Sequence, residues 1–190
     1  MTSEDDIRRL GRRDRRAAVD ALYRLHAARV LSNLFLMLKD ADAARDLTQE
    51  TFVRAFTTDG LFESEMPLRP WLLRVASRLA LNHVRERRRA RVREEHHAPR
   101  PAPAPDPLEA VLARHLDQEL AHGLRALPLP YRQALVLRYH EGLTVDETAA
   151  AMDLPPGTVM SHLYRARLVL RRHLTDRPVP LQRLERRIPR

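Results

Sequence analysis

Thr158, Ser161, His162 and Arg165 are spaced by three and four residues, with Arg167 close behind. At helical spacing such side chains share a face, where they can hydrogen-bond base edges in a groove and bind phosphate. That chemistry is recognition. Arg74, Arg78, Asn82 and Arg85 repeat it, since an Asn amide suits an adenine or other base edge and Arg suits phosphate or guanine. A third set has the opposite sign. Asp46, Gln49 and Glu50 stand at i, i+3 and i+4 with Leu47 beside them, a patch that would repel DNA and suits a protein partner. Each set also fits an ordinary solvated helix face, and acids near a helix N-terminus favour the dipole without any partner.

The elements that must position these residues are helical. Thr144 and Glu147 have capping-box spacing, so a helix starts at Thr144. Pro155 and Pro156 stop it by Leu154, and Pro156 suits the first turn of a second helix. Along that second helix Val159, Leu163, Ala166 and Leu170 form an apolar stripe able to pack on the first. Two helices meeting at a tight corner, with Thr158, Ser161, His162 and Arg165 outward, fit a helix-turn-helix that offers its first turns to base edges. A plain helical hairpin would share these features.

Further forward, periodicity predicts helices over about Arg15–Lys39, Asp42–Phe56 and Pro70–Arg91. The first carries Val19, Leu22, Tyr23, Val30, Leu34, Phe35 and Leu38; the third buries Leu72, Val75, Ala76 and Leu79, with Trp71 at its start. TTDGLFESEMPLR between the last two is a loop by its Gly, Pro and polar content. HHAPRPAPAPDPLEA, residues 96–110, favours an extended, semi-rigid spacer. Behind it come helices over about Leu108–Arg125 and Pro130–His140, then the corner pair and a basic tail. Nothing alternates like a strand. The fold class is all-α: two small helical domains joined by a Pro-rich linker, the C-terminal one containing the helix-turn-helix.

The 190 residues, 44% apolar and 31% charged, have a globular balance. A formal charge of +9 points to a polyanionic partner, because phosphate binding releases counterions. The absence of cysteine excludes disulfides and thiolate metal sites within the chain. The polar start is unlike a signal peptide, and VLSNLFLML is too short to span a bilayer, so a cytoplasmic location without direct membrane insertion is expected. No Gly-rich phosphate loop or nucleophile elbow is present, and His96 and His97 are adjacent where a helical metal pair needs i, i+4 spacing. No catalytic residue, metal site or cofactor is expected.

Three stretches, DAARDLTQETFVRAF, PWLLRVASRLALNHVRERRR and LPLPYRQALVLRYHEGLTVDETAAAMDLPPGTVMSHLYRARLVLRRHL, in this order and spacing, resemble the extracytoplasmic-function group of the bacterial sigma-70 family. The resemblance implies binding of core RNA polymerase through Asp46, Leu47, Gln49 and Glu50. It implies a loop, Thr57 to Arg69, that captures a flipped minus-ten base, so that Phe62, Trp71, Arg74, Arg78, Asn82 and Arg85 face minus-ten DNA. Minus-thirty-five DNA falls to Thr158, Ser161, His162, Tyr164, Arg165 and Arg167. The implied domains are 1–93 (region 2), a linker 94–113, 114–175 (region 4) and a tail 176–190. Promoter DNA and an anti-sigma factor complete the implied partners.

Departures bear on promoter choice. Arg78 and Asn82 stand where the family often has Asn and Asp, and Met160 and His162 where Lys or Arg is common. Extended at about 3.1 Å per residue, the roughly 20-residue linker spans on the order of 60 Å, enough for two sites nearly two DNA turns apart. A free-standing helix-turn-helix regulator accounts for the basic charge and the corner, and an anti-sigma or adaptor protein for polymerase contact. Neither accounts for two DNA-facing surfaces together with an acidic docking face.

Overall fold

The computed structural model describes residues 3–93 and 123–175, which fall in two separate compact units. Among the described residues the regular elements are all helical.

The first unit opens with a helix the periodicity did not reveal, α1 (Glu4–Gly11). Ser3 and Asp6 close a capping box: the Asp6 amide donates to Ser3 Oγ (3.2 Å) and the Ser3 amide to Asp6 Oδ2 (3.0 Å). The bond from the Ser3 amide, then the Ser3 hydroxyl and Arg9, hold the Asp6 carboxyl down at about 2. Helix α2 (Arg15–Leu38) starts at Asp14, whose carboxylate accepts from the Ala17 amide (3.0 Å), and ends at left-handed Lys39. Asp40 then caps α3 (Ala41–Thr57) through the Ala43 amide (3.0 Å). Helix α4 spans Leu68–Arg93.

Helix α2 is central, packing against α1, α3 and α4, while α3 also packs on α4. That explains its apolar residues on several faces. Ile7, Leu22, Leu34, Leu36, Leu68 and Leu72 are fully buried, each worth about 1.5–3 kcal/mol relative to exposure. Ala18, Ala44, Ala55 and Ala76, all at 0% exposure, let the helices approach closely.

Helix α4 begins two residues before the predicted Pro70 because its first amides are capped from α1. Glu4 accepts from Leu68 N (3.0 Å) and Arg69 N (3.1 Å). Its stripe is also wider than predicted: Leu73 and Ala80 are buried with Leu72, Ala76 and Leu79, whereas Val75 is only partly covered.

In the second unit, residues 123–126 are helical, and α5 (Leu129–Leu135) follows with Pro130 in its first turn. It runs on as a π-helical turn, Val136–His140, closed by the Glu141 amide donating to Val136 O (3.0 Å). The chain reverses at Gly142, φ +71°, and Arg138 pins the reversal by donating to Leu143 O (2.8 Å). Helix α6 (Val145–Met152) carries the capping box read from the sequence: the Glu147 amide donates to Thr144 Oγ1 (3.1 Å) and the Thr144 amide to Glu147 Oε2 (2.7 Å). Left-handed Asp153 ends it, and α7 (Pro156–Thr175) starts at the second proline. Helix α7 packs on α5 and α6. The linker 94–113, most of the helix predicted over Leu108–Arg125, and the tail 176–190 lie outside the described residues.

Candidate nucleic-acid and protein interfaces

Helix α7 divides cleanly. Val159, Leu163 and Ala166 are buried at 0–3% exposure, and Leu170 is half-buried. Ser161, Tyr164, Arg165 and Arg167 are exposed, with Thr158 and His162 partly so. Ser161 Oγ donates back to Gly157 O (3.0 Å), which presets its rotamer. Met160 is more than half exposed, and so adds an apolar surface beside Ser161 and Tyr164.

A residue absent from the sequence reading organises this face. Tyr131, in the first turns of α5, accepts from Arg165 Nη1 (3.2 Å), and its ring lies 5.2 Å from that of His162. The Tyr131 bond raises the pKa of Arg165, which is charged in any case. Partial burial, and after it the Arg165 charge, push His162 below its ordinary value. His162 is therefore a neutral imidazole at pH 7, suited to a base edge and not to charge pairing with phosphate. Its Nδ1 is buried without a hydrogen-bond partner. Tyr131 sits in an LPLPYRQ stretch whose sequence signal is only helix initiation.

On α4, Arg74, Arg78, Asn82 and Arg85 recur at i, i+4, i+8 and i+11; Arg74 is half-buried and the other three exposed. Trp71 is partly covered at the head of the same helix. One residue moves out of the DNA-facing set. Phe62 is 2% exposed and its ring lies against Gly11 at the end of α1, so no base can reach it with α1 docked. The loop itself is shorter than its predicted span, occupying residues 58–67, because Thr57, Leu68 and Arg69 belong to the flanking helices. Lower on α4, Arg87 pairs with Asp40 at 2.5 Å. Partial burial works against the charged form of Asp40, but the Ala43 amide and Arg87 outweigh it and lower its pKa. One cation of the basic run is therefore committed inside the unit.

Helix α3 turns Thr48 and Thr51 inward, each hydroxyl donating to the carbonyl four residues back (2.7 Å), with Phe52 and Ala55 beside them. Asp46 and Gln49 are exposed, and Leu47 and Glu50 half-buried. Glu50 accepts from Arg54 Nε (3.0 Å) and Asp42 from Arg45 (3.0 Å), so part of the acidic field is neutralised locally. The same face continues into exposed Val53 and Phe56 at i+7 and i+10 from Asp46. Tyr23 meets Phe52 edge-on at 4.9 Å. The sequence reading missed this apolar extension, although the spacing 46, 49, 53, 56 carried it. An acidic start grading into apolar side chains suits a protein partner.

Among the described residues no group of three or more His, Cys, Asp or Glu could hold a metal ion, and no helix is long and apolar enough to cross a membrane.

Comparisons with known proteins agree on one family. Residues 22–90 match sigma-70 region 2 and residues 117–170 match sigma-70 region 4. The RNA polymerase sigma-H factor of Pseudomonas aeruginosa is 31% identical over 179 residues, covering 88% of this chain and 92% of that protein. The ECF RNA polymerase sigma factor SigE of Mycolicibacterium smegmatis is 36% identical over 162 residues, 82% of this chain and 61% of that one. In fold, the chain is similar to the sigma factor RpoE of Bartonella quintana, solved with the anti-sigma factor NepR: TM-score 0.67, 23% identity, covering 84% of this chain and 98% of that one.

Proposed function

The chain belongs to the extracytoplasmic-function group of the sigma-70 family and directs transcription initiation; from that premise we propose how its surfaces divide the work. The α3 face of Asp46, Leu47, Gln49 and Glu50, extended by Val53 and Phe56, binds core RNA polymerase. Residues 1–93 act as region 2, with the 58–67 loop and Trp71, Arg74, Arg78, Asn82 and Arg85 engaging the minus-ten element. Phe62 supports that loop from beneath instead of touching a base. Residues 114–175 act as region 4, reading the minus-thirty-five element through Thr158, Ser161, His162, Tyr164, Arg165 and Arg167. The linker 94–113 spans between them, and the holoenzyme works in the cytoplasm.

Sign and position support this reading. The exposed acids and apolar side chains of α3 share one face of that helix, while α4 and α7 each expose cations within their own units, so each surface suits one partner. Taking a base out of the stack costs a few kcal/mol, which a preformed pocket must offset and a mismatched sequence would not recover. Neutral His162 and apolar Met160, in place of two cations, shift recognition at minus-thirty-five away from phosphate charge and toward base edges and thymine methyl groups. The solved relative's complex with an anti-sigma factor supports a regulator of the same kind here.

Reconstitution with core polymerase tests the proposal. The holoenzyme should initiate at promoters selected from a random library, and the isolated chain should not footprint the same sites. Specific footprinting by the chain alone would instead identify an independent helix-turn-helix regulator.

A further inference from the structure

We propose that α1 is a strap that positions the 58–67 loop, and that Glu4 and Arg8 set the path along which this loop accepts a minus-ten base; this rests on the reading of the loop given above. Glu4 uses both carboxylate oxygens on the first amides of α4, Leu68 N (3.0 Å) and Arg69 N (3.1 Å), a cap supplied from 64 residues earlier in the chain. Those amides would otherwise lack an intrahelical partner. The Arg8 guanidinium donates through Nη1 to Ser64 O and through Nη2 to Met66 O. Gly11 presses on Phe62 in the middle of the loop. At the entry, Arg15 donates to Thr58 O and pairs with Asp59 (3.2 Å). Entry, middle and exit of one loop are thus gripped from a single corner of the chain.

Most of these bonds end on backbone carbonyls and amides. They fix where the chain runs whatever its side chains are, leaving side chains free to choose the base. The loop's own bonds are local, such as the Ser64 amide to Gly60 O (3.0 Å). Helix α1 has only eight residues and would be marginal alone, so its docking and the loop's order form one cooperative unit. His26 is buried beside this cap, with Nε2 3.4 Å from Glu4 Oε1. A loop held in its competent form binds at its intrinsic affinity, whereas one competent only a fraction of the time loses affinity by that fraction.

The test uses holoenzyme assembled from the full chain on forked promoter templates, with an abasic site placed in turn at each non-template minus-ten position. Wild type should lose about tenfold or more at one position, and Arg8→Ala and Glu4→Gln should both cut that penalty below about twofold. Core affinity and dependence on the upstream element should stay at wild-type levels, as should an Arg12→Ala control at an exposed position. In free Glu4→Gln, the Leu68 and Arg69 amides should exchange with solvent faster. Should Arg8→Ala fail to fold, the near-isosteric Glu4→Gln carries the test. Variants that keep the full wild-type penalty overturn the strap. A wild-type holoenzyme that initiates at promoters but is indifferent to every abasic site overturns the base-capture reading itself, and the strap with it.

Discussion

Gly11→Ala is the smallest change that should disturb the promoter-facing loop from inside the protein. An added Cβ would lie 2.3 Å from Phe62 Cγ, 2.6 Å from its Cβ and 2.7 Å from its Cδ2. Ordinary carbon contacts need about 3.5–4.0 Å, so the ring must retreat by more than about 1 Å. The atoms struck are the root of a buried side chain, so the retreat displaces the loop backbone. Overpacking of this kind costs about 1–3 kcal/mol. Opposing it is the helix preference of Ala over Gly, about 1 kcal/mol inside a helix and less at Gly11, the last residue of α1. Overpacking wins, and we expect a net loss of about 1–2 kcal/mol, or roughly 5–15 °C in Tm for a unit of this size. Trp71, the protein's one tryptophan, lies in this unit, so thermal unfolding followed by its fluorescence reports on the right region. In a Phe62→Ala background, which removes Cγ and Cδ2 and leaves a shrunken neighbour free to yield, the same substitution should cost clearly less than it does beside Phe62. Equal losses in both backgrounds, or a raised Tm for Gly11→Ala alone, would refute the reasoning.

Three other outcomes follow from the exposed surfaces. Asp46→Lys or Glu50→Lys should weaken core polymerase binding without changing helicity, since the Glu50–Arg54 pair is half-exposed and worth under about 1 kcal/mol; unchanged core affinity would remove the α3 assignment. Arg165→Ala should reduce use of an upstream-element promoter on the order of tenfold and leave promoters lacking that element unaffected, which single-round transcription would measure. His162 has its pKa lowered in the fold, so as pH falls through about 6.5 the unfolded chain takes up the proton first and stability declines. His162→Gln should flatten the stability curve between pH 7.5 and 5.5, and curves that stay parallel would count against that burial.

What could be read from the sequence was what short-range physics decides. The Thr144–Glu147 box, the Pro156 start and the Val159, Leu163 and Ala166 stripe all involve partners a few residues apart, and the structure has each in place. The three long helices of the first unit were legible for the same reason. Helix α1 was missed even though its Ser3–Asp6 cap is equally local, because eight residues with only two large apolar side chains, Ile7 and Leu10, are too short to show a period. Tertiary structure alone decided the rest. Phe62 reads as an aromatic on a loop available to a base, and only the arrival of Gly11 from 51 positions earlier turns it into a foundation. Likewise Glu4 gives no hint of capping α4, nor Tyr131 of holding Arg165 34 residues away. Residue type and spacing fix which helices form and which faces they offer; which side chains remain on those faces depends on what the folded chain brings against them from far away.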